Sequence, residues 1–118
     1  MNNEFTIREH NALRAGHHHD LHLDGLSFAV PKGLPLSSGT RVLAIKTTFH
    51  TPEQARFEGT IPEGQYGAGE THILDQGTLE IIEQTPDHIF FKLMGDKYRG
   101  NYHLRHWQDQ RWLLWKST

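Results

Sequence analysis

The chain has 118 residues, of which 36% are hydrophobic types, enough for one folded domain over residues 1–118 and too few for two ordinary ones. Twelve Lys and Arg against fourteen Asp and Glu give a formal net charge of −2, which argues against a globally basic nucleic-acid binder but allows a local basic patch. The chain has no Cys, no apolar run long enough to span a membrane and no secretory signal pattern at its start, so we expect a cytoplasmic protein without disulfides or thiolate chemistry.

Turn residues alternate with short runs rich in β-branched and aromatic residues, which predicts an all-β fold. A short helix or turn is expected near residues 8–14, where good helix formers cluster. The predicted strands cover residues 18–24, 26–30, 41–48, 56–60, 69–75, 78–83, 88–94, 101–107 and 111–116. Strands of this length and spacing indicate a sandwich or a small closed antiparallel β-barrel, and closure removes the sheet edges that invite aggregation.

Three of the predicted strands carry further patterns. Pro86-Asp87 lies between two apolar runs and predicts a hairpin. Alternation puts the even-numbered residues 102–106 on one face of their strand and the odd-numbered residues 103–107 on the other. Residues 112–115 are nearly continuously apolar, as expected for a buried strand that closes the sheet.

Histidine is the unusual residue type of this chain, with ten copies. Five of them lie at positions 10, 17, 18, 19 and 22. An extended strand directs alternate side chains to opposite faces, and Leu21 and Leu23 mark the expected core side. The other face then carries four groups that can bind metal or phosphate: His18, Asp20, His22 and Asp24.

Neighbours two apart on a strand are roughly 6.5–7 Å apart, close enough for their side chains to share a metal ion. Imidazole with carboxylate suits Zn, Mn, Fe or Ni better than Ca or Mg. Two strand residues make an incomplete site, and His10 is the candidate third ligand. The alternative is a solvated polar face with no ligand.

The second informative stretch is residues 56–69, which reads as a strand, a Pro-Gly turn and a Gly-rich bend. Three glycines within six residues indicate positive φ or close backbone approach. A phosphate-binding loop is one interpretation, but the Gly-Lys-Ser/Thr ending of a P-loop is absent. Taken alone, the stretch favours tight turns of a small barrel.

These stretches, with residues 30–33 between them, resemble the 3′-phosphoesterase domain of bacterial ligase D, a family that also has free-standing archaeal and bacterial members. The family string Phe-Glu-Gly-x-Ile-Pro-x-Gly-x-Tyr-Gly-Ala-Gly is complete at 57–69, and residues 27–33 and 112–116 are also similar. The resemblance covers residues 5–116. It implies a small β-barrel that trims DNA 3′ ends for ligation in double-strand break repair, removing a terminal ribonucleoside and then the remaining 3′-phosphate.

The resemblance also implies a divalent metal, with Mn expected first and Zn, Co or Ni as alternatives. The family pattern His-x-Ala-x-x-Leu-His-Tyr-Asp-x-Arg transfers the metal-ligand role to His10, His18 and Asp20. The spacing between the two histidines is two residues longer here than in the family. His17 would replace His18 if the register of the strand shifts.

The phosphate-contacting set of the family is less well matched. His50 lies seven residues before Phe57 and takes the role of the phosphate-contacting histidine. The family's Arg after the Asp is His22 here, and its Tyr four residues after the phosphate histidine is Gln54. The resemblance therefore puts His50, His22 and Gln54 at the phosphate, with His22 or His50 as candidate general base.

Basic residues complete the predicted machinery. Lys32 and, with a one-residue offset, Arg41 map onto basic residues of the family, so the expected catalytic set is His50, His22, Lys32 and Arg41. Four other basic residues either contact the backbone of the nucleic-acid strand or are ordinary surface charges: Arg56, Lys97, Arg99 and Arg105. Expected partners are DNA or RNA/DNA 3′ ends, a DNA ligase and an end-binding protein. The alternative functions are a noncatalytic nucleic-acid-end-binding barrel in a repair complex and, more remotely, a small-molecule-binding metal barrel.

Overall fold

The computed structural model describes residues 3–48, 52–65 and 67–118. Its elements are the strands β1 (Glu4–Ala12), β2 (Gly16–Leu23), β3 (Leu26–Val30), β4 (Arg41–Thr47), β5 (Gly59–Ile61), β6 (Gly69–Thr85), β7 (His88–Met94), β8 (Arg99–Gln108) and β9 (Arg111–Lys116), and the helix α1 (Pro52–Ala55). Across these described residues, no helix is long and apolar enough to cross a membrane. The predicted all-β fold is confirmed.

The strands form one antiparallel sheet that curls into a ring. The pairing order is β1-β2-β3-β4-β9-β8-β7-β6, and β6 pairs back with β1, so eight strands close on each other. The short strand β5 pairs with the first residues of β6. The architecture is thus barrel-like, and closure leaves the ring strands with partners on both sides.

The interior of the ring holds the hydrophobic core. Phe5 and Ile7 of β1 lie opposite Leu23 and Leu21 of β2, and all four side chains are almost fully buried. The predicted alternation in β8 is confirmed at Tyr102 and Leu104, which point into this core, but a bulge between His106 and Gln108 interrupts it at Trp107. Because side chains alternate along a strand, the residues between these core positions project from the outer face of the ring.

Several strand predictions agree closely with the structure. The bounds 26–30, 88–94 and 111–116 match β3, β7 and β9, and residues 86–87 form the turn of the predicted hairpin. The stretch 8–14, expected as a helix or turn, instead finishes β1 and turns at residues 13–15. β1 pairs with β2 on one side and β6 on the other, and this pairing outweighs the local helix propensity.

β6 was predicted as two strands with a turn at Gln76-Gly77, but it runs without interruption. Gly77 serves a different purpose there, because a Cβ at this position would collide with the backbone carbonyl of Met94. The glycine therefore permits close packing of β7 rather than a change of chain direction.

The turn between β7 and β8 is fixed by one buried carboxylate. Asp75 of β6 accepts hydrogen bonds from the backbone N–H groups of Asp96, Lys97 and Tyr98, at 3.0, 2.9 and 2.7 Å, and of Gln76 at 3.0 Å. Burial alone would raise the pKa of Asp75, but these hydrogen bonds together lower it. The carboxylate therefore stabilises the fold in its charged form.

Replacing Asp75 by Ala should lower the free energy of unfolding by roughly 3 kcal/mol, because several buried N–H groups lose their acceptor. Urea unfolding at neutral pH measures the effect. Asp96→Ala is the matched control, because the Asp96 side chain is exposed in the same turn. Since the pKa of Asp75 is lowered by folding, its contribution should be present above the ordinary value of about 3.9 and be lost as the pH falls below it. Equal unfolding free energies for the two variants would contradict this role.

Candidate metal centre

The β1–β2 hairpin brings together the first and second halves of the histidine-rich segment. His10 lies opposite His18, and Arg8 lies opposite Asp20. All four side chains project from the outer face of the ring. Residues 63–65, 67 and 68 lie beside this face, and the Leu13 N–H donates to the Ala68 carbonyl at 2.8 Å, which connects the hairpin to them.

The Asp20 carboxylate lies between two imidazoles. Its Oδ2 is 2.8 Å from His10 Nδ1, and its Oδ1 is 3.0 Å from His18 Nε2. One ligand atom from each of the three residues falls within 4.8 Å of the others. Both imidazoles are only 7% exposed. These are the three residues to which the family resemblance assigned the metal.

The outer nitrogens of the two rings also face acceptors. His10 Nε2 is 2.7 Å from the Gly67 carbonyl, and His18 Nδ1 is 3.2 Å from the Gly16 carbonyl. All four ring nitrogens therefore face an oxygen atom that can accept a hydrogen bond. The hydrogen bond to Asp20 raises the pKa of His18 in spite of its burial. Burial would raise the pKa of Asp20, but the two imidazole hydrogen bonds outweigh it and hold that pKa well below its usual range.

This donor set fits a divalent transition-metal ion. Each of the three side chains offers one ligand atom to the same point, and each ligand atom is a nitrogen or a carboxylate oxygen. Two imidazoles and one carboxylate suit Mn, Fe, Co, Ni or Zn better than Ca or Mg. The buried carboxylate of Asp20 would also compensate part of the charge of such an ion.

The cluster forms one wall of a cavity of about 890 Å³. A row of directly opposed residues crosses the cavity floor from β1 to β4: Arg8, Asp20, Ala29 and Ile45. Residues 12–15 of the hairpin tip and residues 63–65, 67 and 68 also line the cavity, and most of the lining is apolar. The cavity thus presents one polar cluster to a ligand from an otherwise apolar enclosure.

Arg8 is the functional candidate that sequence reasoning missed. Its Nη1 donates to the backbone carbonyls of Gln54 and Phe57 at 2.9 and 3.3 Å, which fixes the guanidinium in place. Its Nη2 lies 3.8 Å from Asp20 Oδ2, and the side chain is 12% exposed. Burial lowers the pKa of Arg8, while the charge of Asp20 opposes that shift. The signal in the sequence was its position two residues before His10, which only a strand places on the same face.

The family of the chain follows from its match to a known domain. Residues 8–106 match the family model described as the DNA Ligase D 3′-phosphoesterase domain. The chain belongs to this family. It is 40% identical over 117 residues to the "Multifunctional non-homologous end joining DNA repair protein LigD" of Mycobacterium tuberculosis, with 94% of this chain and 15% of that protein covered.

Two further relatives show the same partial coverage. The "Multifunctional non-homologous end joining protein LigD" of Mycolicibacterium smegmatis is 39% identical over 127 residues, with 95% of this chain and 16% of that protein covered. The protein with the same description from Pseudomonas aeruginosa is 36% identical over 107 residues, with 85% of this chain and 13% of that protein covered. The chain therefore spans only about 15% of the length of the curated relatives it matches.

The family's metal-ligand pattern left His17 and His18 as alternatives, and the structure separates them. His18 joins His10 and Asp20, while His17 is exposed, with Nε2 3.6 Å from Glu9 Oε2. The two extra residues between the histidines lengthen the hairpin tip and leave the pairing of His10 with His18 intact. The assignment of the metal to this cluster stays a prediction.

The residues assigned to the phosphate are more dispersed. His50 lies outside the described residues. His22 is buried one row away from Asp20, between Thr6 and Ser27, and is not among the described residues that line the cavity. Gln54 is exposed on α1, and its backbone carbonyl receives Arg8.

The two mapped cations also lie away from the cluster. Lys32 is exposed in the turn after β3. The Arg41 guanidinium packs over the ring of Trp115, 4.3 Å from its centroid. Neither residue lines the cavity among the described residues, and their catalytic roles stay predictions.

Titration with Mn²⁺ should stabilise the chain and release protons. Free metal at 100 times its Kd should add about 2.7 kcal/mol to the unfolding free energy. Because folding raises the pKa of His18, and only its neutral form ligates a metal, affinity should increase as the pH rises through that raised value. Thermal unfolding with and without metal, and calorimetry in buffers of different ionisation enthalpy, measure the two effects.

Asp20→Asn should abolish the stabilisation by metal, because the amide supplies no charged oxygen ligand. Asp24→Asn is the matched control, because Asp24 is an exposed turn residue with φ of 42°, which Asn tolerates. A metal-induced stabilisation that persists in Asp20→Asn and disappears in Asp24→Asn would refute the assignment.

Proposed function

We propose that this chain is a metal-dependent 3′-phosphoesterase, with Mn²⁺ as the expected ion, which repairs nucleic-acid 3′ ends during double-strand break repair. It removes a terminal 3′-ribonucleoside and then the remaining 3′-phosphate. The observation that supports this most directly is the buried cluster of His10, His18 and Asp20 on a cavity wall, in a chain of the ligase D 3′-phosphoesterase family. Since the relatives are described as multifunctional end-joining proteins, we propose that it acts beside a DNA ligase and an end-binding protein.

His10, His18 and Asp20 are the residues that would hold the ion. When bound there, a divalent metal supplies a Lewis acid for a phosphoryl oxygen and lowers the pKa of bound water. The mostly apolar lining around the cluster lowers the local dielectric constant, which strengthens electrostatic contacts at the cavity wall. The volume of about 890 Å³ is large enough for the terminal nucleotide unit.

Arg8 supplies a fixed positive charge beside this centre. Two backbone carbonyls hold its guanidinium, so its position is set before the substrate arrives. Its distance of 3.8 Å from Asp20 is longer than a hydrogen bond, so the Nη2 donors remain usable by an oxyanion. A preorganised guanidinium stabilises negative charge that develops on phosphoryl oxygens.

The other groups of the proposed machinery come from the family resemblance. His50, His22 and Gln54 contact the phosphate, and Lys32 and Arg41 supply further positive charge. His22 or His50 takes a proton from the attacking group, which is the substrate 2′-hydroxyl in ribonucleoside removal and water in phosphate removal. Arg8 adds the guanidinium that His22 does not provide in this chain.

Duplex primers that end in a 3′-phosphate or a 3′-monoribonucleotide, assayed with a panel of divalent metals, test this function. We expect turnover with Mn²⁺, and a loss of at least about 100-fold in His10→Ala and Asp20→Asn, because each variant removes a ligand of the metal. Asp24→Asn should keep the parent rate. Binding of the ends without turnover for every metal would instead favour the noncatalytic end-binding alternative.

Arg8→Gln should lower kcat/KM by about 100-fold, as expected for the loss of one preorganised oxyanion donor. Mn²⁺ binding should persist, because Arg8 is not a metal ligand, and Arg8→Lys should recover part of the rate by restoring the charge. Arg56→Gln is the control, because Arg56 is exposed and pairs with Glu4 at 3.2 Å. A parent-like rate in Arg8→Gln with metal binding intact would exclude Arg8 from the reaction.

A further inference from the structure

Beyond the cavity, the outer side of β4, β9, β8 and β7 carries cations and aromatic rings. We call this surface the basic-aromatic face and define it by six residues: Arg41, His103, Arg105, Trp107, Arg111 and Trp115. Strand alternation directs five of them outward, because their neighbours Ala44, Tyr102, Leu104, Trp112 and Leu114 are buried in the core. The sixth, Trp107, lies at a β-bulge between His106 and Gln108, and its side chain is exposed.

One row of the face is a continuous stack across three strands. The Trp115 and His103 rings are 4.9 Å apart at an interplanar angle of 9°, and His103 and Phe90 are 4.4 Å apart at 9°. Arg41 covers the other side of Trp115. Because the ring faces cover each other, this row is a rigid support with little ring surface left for a ligand.

Trp107 differs from the stacked rings. It is 58% exposed, and Arg111 lies 5.6 Å from its ring centroid. Arg111 Nη2 is also 3.6 Å from Asp109 Oδ2, but both side chains are well exposed, and an exposed pair of this kind contributes little. Trp107 and Arg111 therefore present an open ring face next to a usable guanidinium.

The four strands on this side of the ring carry basic side chains and no acidic ones. β4, β7, β8 and β9, which are described in full, contain no Asp or Glu. The acidic side chains gather on the neighbouring strand β6, where Glu80 and Glu83 lie opposite Lys92 and Phe90. A chain with a net charge of −2 thus keeps a local surface that complements a polyanion.

The face is continuous with the metal centre. Asp20, Ala29, Ile45 and Arg111 are directly opposed on successive strands, so one row of the sheet leads from the cluster to the face. Three inter-strand spacings make this path roughly 14 Å long. At the roughly 3.4 Å rise of a stacked strand this path would hold about four nucleotides, and an extended single strand would cross it with fewer.

We propose that the basic-aromatic face binds the single-stranded nucleic-acid tail that leads to the 3′ end in the cavity. Arg105 and Arg111 contact its phosphates, and an unpaired base stacks on Trp107. A single strand is favoured over a duplex because the exposed ring of Trp107 offers its face to a base that has left its own stack. This inference rests on the proposed function, which puts the 3′ terminus at the metal centre.

Fluorescence anisotropy with 3′-phosphorylated single strands of 2, 4, 8 and 16 nucleotides, in the presence of a chelator, tests binding without turnover. Affinity should increase up to about four to six nucleotides and then level off. Arg105→Gln/Arg111→Gln should remove this dependence on length and reduce the slope of log K against log salt by roughly 1.4. Lys46→Gln/Lys97→Gln removes the same charge from exposed positions outside the face and should behave as the parent.

Trp107→Ala should weaken binding of the 8-nucleotide strand by about tenfold, and Trp107→Phe should restore most of it. Ile82→Ala is the control for loss of an exposed apolar side chain, because Ile82 is 45% exposed on β6. Thermal unfolding midpoints close to the parent value establish that the variants are folded.

Equal affinities and salt slopes for the two double variants would overturn the proposal, as would binding to duplex alone. An altered sedimentation coefficient in Arg105→Gln/Arg111→Gln with unchanged nucleic-acid affinity would also overturn it, and would mark a protein contact instead. The two proposals can also fail separately. If affinity depends on strand length and on Arg105 and Arg111, but no metal gives turnover, the phosphoesterase function is refuted and the binding role of the basic-aromatic face is supported.

Discussion

The structure around the site depends on one interaction, the carboxylate of Asp20 shared between the imidazoles of His10 and His18. Its two oxygens are 2.8 and 3.0 Å from ring nitrogens on two different strands. A buried carboxylate without such partners would cost several kcal/mol. Hydrogen bonds therefore hold the cluster in place through the same atoms that would ligate a divalent ion.

The Gly-rich loop is also connected to this cluster. His10 also contacts the carbonyl of Gly67, so the Gly-rich loop is connected directly to the cluster. A Cβ at Gly67 would lie 3.2 Å from the His10 ring, and the φ of 76° at this position also favours glycine. The glycines of the family string thus bring a loop backbone close to the imidazole.

Side-chain alternation was enough to predict from sequence that Leu21 and Leu23 face the core and that His18 and Asp20 share the opposite face. It was not enough to predict β1, because Arg8 and Glu9 favour a helix and only pairing with β2 and β6 makes this segment a strand. For the same reason Arg8 was missed as a site residue. Lys32 and Arg41 do not line the cavity among the described residues. Arg41 instead packs over Trp115, and this contact depends on the pairing of β4 with the distant strand β9, which local sequence does not reveal.

The closure of the ring also bears on how the protein folds. β1 pairs with β2 nearby in sequence, but it completes the ring only by pairing with β6, more than fifty residues later. Contacts this distant carry a large loop-closure entropy and slow the search for the native state. The pairing of β4 with β9 is the other such distant seam of the ring. His10 and Arg8 lie on the β1–β6 seam, so the polar groups of the cavity come together only when this long-range pairing has formed.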